Sequence, residues 1–232
     1  MKRIVRKIRD VIIPIVAPIR YKRFHELKYW NKLVSSEKVL SNDHYKFFYT
    51  DFLNFTDSDF KDKNILDVGC GPRGSLEWAN MANIRIGIDP LADEYKKIGA
   101  NIHKMDYISS SAENMPFKNN EFDFIFCYNS LDHVEDVDLV LKQIIRVCKP
   151  GGHFNLMVEV NHQPTSCEPH YITPKYIVEY LASNFTIHNV KVYKPVDTGG
   201  LWDAIEQNQC YDDPINTNKE GWLFASFTKK YN

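Results

Sequence analysis

The glycine-rich stretch from Ile65 to Ser75, ILDVGCGPRGS, carries the clearest chemical signal in the sequence. Gly69, Gly71 and Gly74 have the G-x-G-x-x-G spacing, which lets the backbone approach a ligand and then begins a helix whose N–H groups face it. Asp67 ends the preceding apolar strand, two residues before the first glycine. A carboxylate at that place suits a ligand with an ammonium or another positive centre. The stretch therefore predicts a nucleotide-type cofactor site.

Two further strand-like segments end in polar residues. Ile86 to Asp89 is a short apolar strand, and its terminal acid, followed by Pro90, is placed to accept hydrogen bonds from two ribose hydroxyls. Phe122 to Tyr128 reads FDFIFCY, a run of strand length that is followed by NSLDH at residues 129–133. Both segments predict strands that present polar groups where they end.

A helix and a glycine turn follow the third of these segments. Val140, Ile144 and Val147 are apolar at helical spacing, and the helix is expected to break at residues 149–152, KPGG. The apolar stretch HFNLMVEV at residues 153–160 then predicts another strand.

Taken in this order, the pieces resemble the class I S-adenosylmethionine-dependent methyltransferases, over roughly residues 64–160. The resemblance implies an α/β fold, a Rossmann-like, doubly wound, mostly parallel seven-stranded sheet with an antiparallel last strand and an N-terminal helical extension. It also implies S-adenosyl-L-methionine as cofactor. Residues 26–31 (ELKYWN), 71–79 (GPRGSLEWA) and 159–162 (EVNH) are similar to methyltransferases associated with bacterial surface-polysaccharide synthesis.

The resemblance also implies which residues hold the cofactor. The adenine-cradling segment would be residues 111–117, SAENMPF, although the family often has Asp where this chain has Ser111. The implied cofactor-binding residues are Asp67, Gly69, Cys70, Gly71, Gly74, Asp89, Pro90, Ser111, Ala112, Glu113, Asn129, Ser130 and Leu131.

Candidate catalytic residues follow the fourth and fifth strands. Methyl transfer to an oxygen of high pKa gains from a general base, and His133 and His162 are the best placed titratable groups, with Glu159 as an orienting group or base. His133 is alternatively a pocket-shaping residue, and His162 a surface residue. Glu159, His162, Glu168 and His170 also have the side chains to bind a divalent metal that orients a diol, but the expectation is that the site holds no metal.

The acceptor is assigned by resemblance alone. The resemblance implies that the methyl group goes to an oxygen of a small molecule, such as a sugar or a lipid-linked glycan. It also implies a role in polysaccharide biosynthesis. The rival interpretations are a non-catalytic cofactor-binding or membrane-associated scaffold protein of the same fold and, with less support, an NAD-dependent oxidoreductase. The net charge of −1 and the absence of a basic stripe in the core disfavour nucleic acid as a partner.

The 232 residues suit one globular unit, predicted at residues 61–232, with a basic and helical extension or lid at residues 1–60. Residues 1–23 contain eight basic side chains around an apolar run, Val11–Ile19, that is too short to span a membrane, for which roughly 20 residues are needed. The alternatives are a segment that contacts the inner membrane face peripherally and one that packs on the domain. The protein is expected to be cytoplasmic with free cysteines; its oligomeric state is left open.

The remaining segments predict elements around the sheet. Phe24 onward and residues 44–55 read as two aromatic-rich helices, and a third is expected over Lys175–Ser183 after the capping pair Thr173–Pro174. Residues 185–193 and 222–228 alternate as the last two strands. The polar loop from Glu159 to His170 leaves the carboxyl edge of the sheet and is the predicted acceptor wall.

Overall fold

The computed structural model describes residues 18–37, 40–197 and 200–231. Its centre is a seven-stranded sheet in the order β3-β2-β1-β4-β5-β7-β6. The strands are β1 (Asn64–Val68), β2 (Ile84–Asp89), β3 (Asp106–Ser109), β4 (Phe122–Tyr128), β5 (Cys148–Val160), β6 (Phe185–Tyr193) and β7 (Gly221–Lys229).

The first five strands run parallel, and β7 lies antiparallel to both β5 and β6. This arrangement confirms the predicted doubly wound sheet with an antiparallel last strand. β4 is buried along almost its whole length, as expected for a central parallel strand covered on both faces. The strand order reverses between β1 and β4, and the carboxyl ends at such a switch point are where open α/β sheets bind ligands.

Six α-helices lie in the described residues: α1 (Pro18–Glu37), α2 (Lys46–Tyr49), α3 (Ala92–Lys97), α4 (Val137–Val147), α5 (Pro174–Leu181) and α6 (Leu201–Glu206). α4 buries the apolar stripe that its spacing predicted, and its N-cap Asp136 accepts a hydrogen bond from the Leu139 N–H. In the same way, the Thr173 hydroxyl caps α5, with proline in the first turn.

The helix expected after the glycine turn does not form. Between β1 and β2 the chain makes isolated turns, such as the hydrogen bond from the Glu77 N–H to the Gly74 carbonyl. The backbone N–H groups that would begin a helix instead donate to side chains of β3 and of the loop before it. Gly74 donates to the Tyr107 hydroxyl at 2.9 Å, and Leu76 donates to the Met105 sulfur at 3.4 Å. The glycine turn, and not the N-terminus of a helix, therefore lies at the carboxyl end of β1.

The single helix expected over residues 44–55 is also broken, into a 3₁₀ turn (Asp43–Tyr45), α2 and a second 3₁₀ turn (Asp51–Leu53). Thr50 lies outside helical geometry at φ −122° and ψ −94°, and Asn54 is left-handed at φ 59°. The KPGG sequence at residues 149–152 is counted within β5, so the strand begins directly after α4.

The predicted membrane-contacting segment, residues 1–23, lies mostly outside the described residues, which begin at Pro18. From there α1 runs to Glu37 as one helix. Within the described part of the chain, no helix combines the length and the hydropathy that a membrane crossing requires.

The segment before β1 packs directly on the sheet. Phe48 of α2 is fully buried, with its ring 5.8 Å from Phe224 of β7 and 4.5 Å from Trp202 of α6. Its neighbour Phe47 is 36% exposed and therefore contributes less apolar burial. Residues ahead of the first strand thus belong to the hydrophobic core.

Phe48→Ala is expected to lower the free energy of unfolding by about 3 to 5 kcal/mol, because it removes a fully buried ring and leaves a cavity. Phe47→Ala, the matched control, should cost clearly less. Urea unfolding monitored by circular dichroism measures both values. Equal and small losses would show that the segment does not contribute to the core.

Candidate active site

Two aspartates are buried at the carboxyl ends of neighbouring strands. Asp67 of β1 is 2% exposed and accepts a hydrogen bond from the Tyr49 hydroxyl at 3.3 Å. Asp89 of β2 is 5% exposed, and its two oxygens accept from the N–H groups of Leu91 at 2.8 Å and Gly71 at 3.3 Å. Both predicted acids thus flank the glycine turn.

Burial raises the pKa of both carboxyl groups. It raises the pKa of Asp67 to about 7, against the opposite effect of the Ser75 and Tyr49 hydroxyls. Burial raises the pKa of Asp89 to about 7 as well, and the nearby Glu26 carboxylate adds to that rise. No salt bridge to either acid occurs in the described residues. The edge is therefore suited to a cationic or hydrogen-bond-donating ligand.

The three glycines of the turn have left-handed backbone conformations. Gly69, Gly71 and Gly74 have φ values of 73°, 56° and 68°, which side chains rarely adopt. A Cβ at Gly69 would also stand 2.2 Å from the Cβ of Ser130, whose hydroxyl donates to the Val68 carbonyl at 2.7 Å. The turn and the end of β4 are thereby held in contact.

α1 lies across this edge of the sheet. The Trp30 ring faces Gly71, where a Cβ would lie 3.4 Å from it. The Tyr95 hydroxyl donates to Glu26 at 2.6 Å, and Lys22 donates to the His133 carbonyl at 3.0 Å.

Motif reasoning did not assign Glu26, Trp30, Tyr49 or Tyr95 to the site. The spacing of Glu26 and Trp30, four residues apart on one helical face, is the sequence signal that pairs them. What the two side chains face is set by long-range packing of α1 on the sheet.

The remaining cofactor candidates are placed unevenly. Cys70 is buried against β2, where a Cβ at Gly87 would meet its sulfur at 2.4 Å, so its thiol packs inward. Glu113 accepts hydrogen bonds from the backbone N–H groups of Glu135 and Asp136, just before α4. Leu131 is fully buried.

The other four candidates are more accessible. Ser111 and Ala112 are half-buried at the 3₁₀ turn Ala112–Asn114, and Pro90 and the left-handed Asn129 are exposed.

The three catalytic candidates lie at the ends of β4 and β5. Glu159 accepts from the Trp222 indole N–H at 3.1 Å. His162 is half-buried; its Nδ1 lies 3.1 Å from the Gln163 carbonyl, whereas its Nε2 is buried with no hydrogen-bond partner in the described residues. Because a carbonyl only accepts, Nδ1 carries the proton in the neutral ring and Nε2 keeps its lone pair.

His133 is 41% exposed at its side chain and stands beside Asp132, which is 1% exposed. Burial raises the pKa of Asp132, and the adjacent His133 acts against that rise. The Nε2 of His170 contacts the Val134 carbonyl at 2.8 Å, so this nitrogen is engaged by the backbone. Glu168, one of the four residues that the sequence offered as metal ligands, approaches His133 at 3.9 Å.

The pKa of Asp67 predicts how the stability of the ligand-free chain depends on pH. Because about 7 lies above the value near 4 of an unfolded aspartate, the folded chain binds more protons between these values, and its stability falls as pH rises from about 4 to about 7. Asp67→Asn removes this loss, so at pH 8 the variant should exceed the wild type in unfolding free energy by on the order of 3 kcal/mol.

Urea unfolding from pH 5 to 8 measures this difference, with the exposed Asp93→Asn as the control that should change nothing. The same slope in Asp67→Asn and the wild type would contradict the assignment.

Comparison with known proteins identifies the segment that contains both acids. Residues 66–156 match the family described as a methyltransferase domain. A sterol 4-C-methyltransferase of Caenorhabditis elegans is 30% identical over 133 residues, which are 53% of this chain and 39% of the relative. A demethylmenaquinone methyltransferase of Listeria welshimeri is 32% identical over 104 residues, 40% of this chain and 43% of the relative. The chain thus spans about four tenths of the length of these curated relatives.

The structural likeness covers more of the chain. An S-adenosylmethionine-dependent methyltransferase from Mesorhizobium loti superposes with a TM-score of 0.57 at 19% identity, over 73% of this chain and 92% of that one. This likeness shows the fold. Residues 66–156 thus match a methyltransferase domain, and they lie within a fold that the chain shares with an S-adenosylmethionine-dependent methyltransferase.

Proposed function

We propose that the whole chain is an enzyme that binds S-adenosyl-L-methionine at the ends of β1 and β2 and transfers its methyl group to an oxygen of a small molecule. The observation that carries this proposal is the pair of buried carboxylates, Asp67 and Asp89, on either side of the left-handed glycine turn. A ligand with an ammonium group, a sulfonium centre and a ribose diol supplies what these acids lack.

Each acid has a distinct role in the proposal. Asp67, deepest in the site, attracts the positive end of the cofactor and becomes fully ionised beside it. Asp89 accepts hydrogen bonds from the ribose hydroxyls, and its existing bonds from Gly71 and Leu91 fix the direction of its oxygens. Gly69 and Gly71 let the backbone come close to the amino-acid part of the cofactor.

Transfer is an in-line displacement at the methyl carbon. The bound cofactor would supply the methyl group: a lone pair of the acceptor oxygen would form the new C–O bond as the S–C bond breaks, which would leave a neutral thioether, and the hydroxyl proton would go to a base. The base in this proposal is His162, because its Nε2 has no hydrogen-bond partner in the described residues whereas its Nδ1 contacts the Gln163 carbonyl. Glu159, bonded to Trp222, lines the same strand end as an orienting group. Holding donor and acceptor in line supplies on the order of 7 kcal/mol or more.

The acceptor class that we propose is a sugar or a lipid-linked glycan. The similarity of residues 26–31, 71–79 and 159–162 to surface-polysaccharide methyltransferases supports it. We further propose that α1, within the extension predicted at residues 1–60, acts as a lid, because Trp30 and Glu26 of α1 lie over the glycine turn and beside Asp89. A basic segment ahead of α1 would suit an acceptor at the inner membrane face.

Cofactor binding is tested by thermal unfolding with S-adenosylmethionine, S-adenosylhomocysteine or NAD. At 100 times the dissociation constant, the two adenosyl ligands should raise the unfolding midpoint by roughly 5 to 10 °C, because ligand binding to the folded state adds about 2.7 kcal/mol. NAD should leave it unchanged. A shift with NAD alone would favour an oxidoreductase, and no shift with any ligand would contradict cofactor binding.

Catalysis is tested separately, with radiolabelled cofactor and a panel of nucleotide sugars, lipid-linked glycans, quinols and sterols. A labelled glycan product is expected, and His162→Gln should lower its rate by about 10²- to 10⁴-fold without weakening cofactor binding. His188→Gln, a matched change on the exposed face of β6, should keep full activity. Cofactor binding without any product would favour the non-catalytic scaffold, and a product from another acceptor class alone would rule out the glycan.

A further inference from the structure

Asp132, His133 and Glu168 converge at the carboxyl end of β4. Asp132 and His133 belong to the 3₁₀ turn Leu131–His133, and Glu168 comes from the polar loop that follows β5. One oxygen or nitrogen of each residue lies within 4.8 Å of the corresponding atoms of the other two. Three potential metal-ligand atoms therefore surround one point.

The spacing of these atoms is too long for direct hydrogen bonds. The His133 Nε2 lies 4.0 Å from the Asp132 Oδ1 and 3.9 Å from the Glu168 Oε1. Two ligands bound about 2.1 Å from one small divalent cation stand roughly 3 to 4.2 Å apart, depending on the angle between them. A cation placed among the three atoms requires little movement of the side chains.

The buried oxygen of Asp132 is a second, independent indication. Its Oδ1, the atom that faces His133, is fully buried and has no hydrogen-bond partner in the described part of the chain. An unpaired buried carboxylate oxygen costs free energy unless a donor or a cation meets it. The three groups are therefore incomplete as a hydrogen-bonded cluster.

Neighbouring groups hold the loop ligand in place. The Thr165 hydroxyl donates to Glu168 Oε2 at 3.1 Å, which leaves Oε1 directed at His133. The contact of His170 with the Val134 carbonyl fastens the same loop to the end of β4. Outer contacts of this kind orient metal ligands and raise affinity. Lys22, the nearby cation, is bonded to the His133 carbonyl and to Glu135, outside the three ligand atoms.

We infer that Asp132, His133 and Glu168 form a binding site for one divalent first-row cation. Two carboxylates and one imidazole suit Mn²⁺ or Zn²⁺, and three protein ligands leave coordination positions open. The sequence alone favoured no metal, and the set it offered as an alternative shares only Glu168 with this one. If the proposed methyl transfer holds, an acceptor oxygen occupies an open position, which lowers the pKa of that hydroxyl; this last step rests on the proposed function.

The site is tested with the metal alone. The full chain is stripped with EDTA, desalted and titrated with Mn²⁺, and free Mn²⁺ is followed by its electron paramagnetic resonance signal. One saturable site is expected. Asp132→Asn and Glu168→Gln should each weaken Mn²⁺ binding by at least about tenfold, whereas Glu135→Gln, an adjacent acid bonded to Lys22, should bind like the wild type.

Glu168 is on a polar loop, so Glu168→Gln still tests the site if Asp132→Asn fails to fold. Circular dichroism and the unfolding midpoint in EDTA show whether each variant is folded. Absence of a saturable site, or wild-type affinity in Glu168→Gln, would overturn the inference. Because no cofactor or acceptor is present, this result is independent of whether the chain transfers methyl groups.

Discussion

The constraint on which this site depends is the burial of two carboxylates at neighbouring strand ends, where no described side chain forms a salt bridge with either. Asp67 and Asp89 end adjacent parallel strands, and their burial favours the neutral forms until a positive ligand arrives. The glycine turn lies between them, and Ser130 of the neighbouring strand end keeps the turn in place. The folded chain thus carries an electrostatic cost that ligand binding offsets.

α1 contributes to this environment from outside the matched domain segment. Glu26 adds negative potential beside Asp89, Trp30 covers the turn, and Lys22 reaches the end of β4. The helix is held by the ion pair between Arg73 and Glu37, at 2.7 Å, and by the bond from Tyr95 to Glu26. α1 therefore lies against the proposed cofactor site.

Local patterns and the family resemblance predicted the mostly parallel sheet with its antiparallel last strand, the strand-end positions of the two acids, the helix α4 and the capped helix α5. The sequence-based predictions were wrong or incomplete where contacts between residues distant in the chain determine the structure. No helix follows the glycine turn, because the N–H groups of Gly74 and Leu76 donate to the side chains of Tyr107 and Met105. Glu168 and Asp132 meet at His133 because a loop after β5 folds back on β4, and no spacing in the sequence encodes that approach.

The most direct test of the buried-carboxylate account is proton release on cofactor binding. S-Adenosylmethionine is titrated calorimetrically at pH 6, below the pKa values of about 7 of both acids, in two buffers with different ionisation enthalpies. Binding should release about one proton or more, because the positive ligand ionises carboxyls that were protonated, and Asp67→Asn should release fewer. Tight binding with no proton release in the wild type would contradict the account.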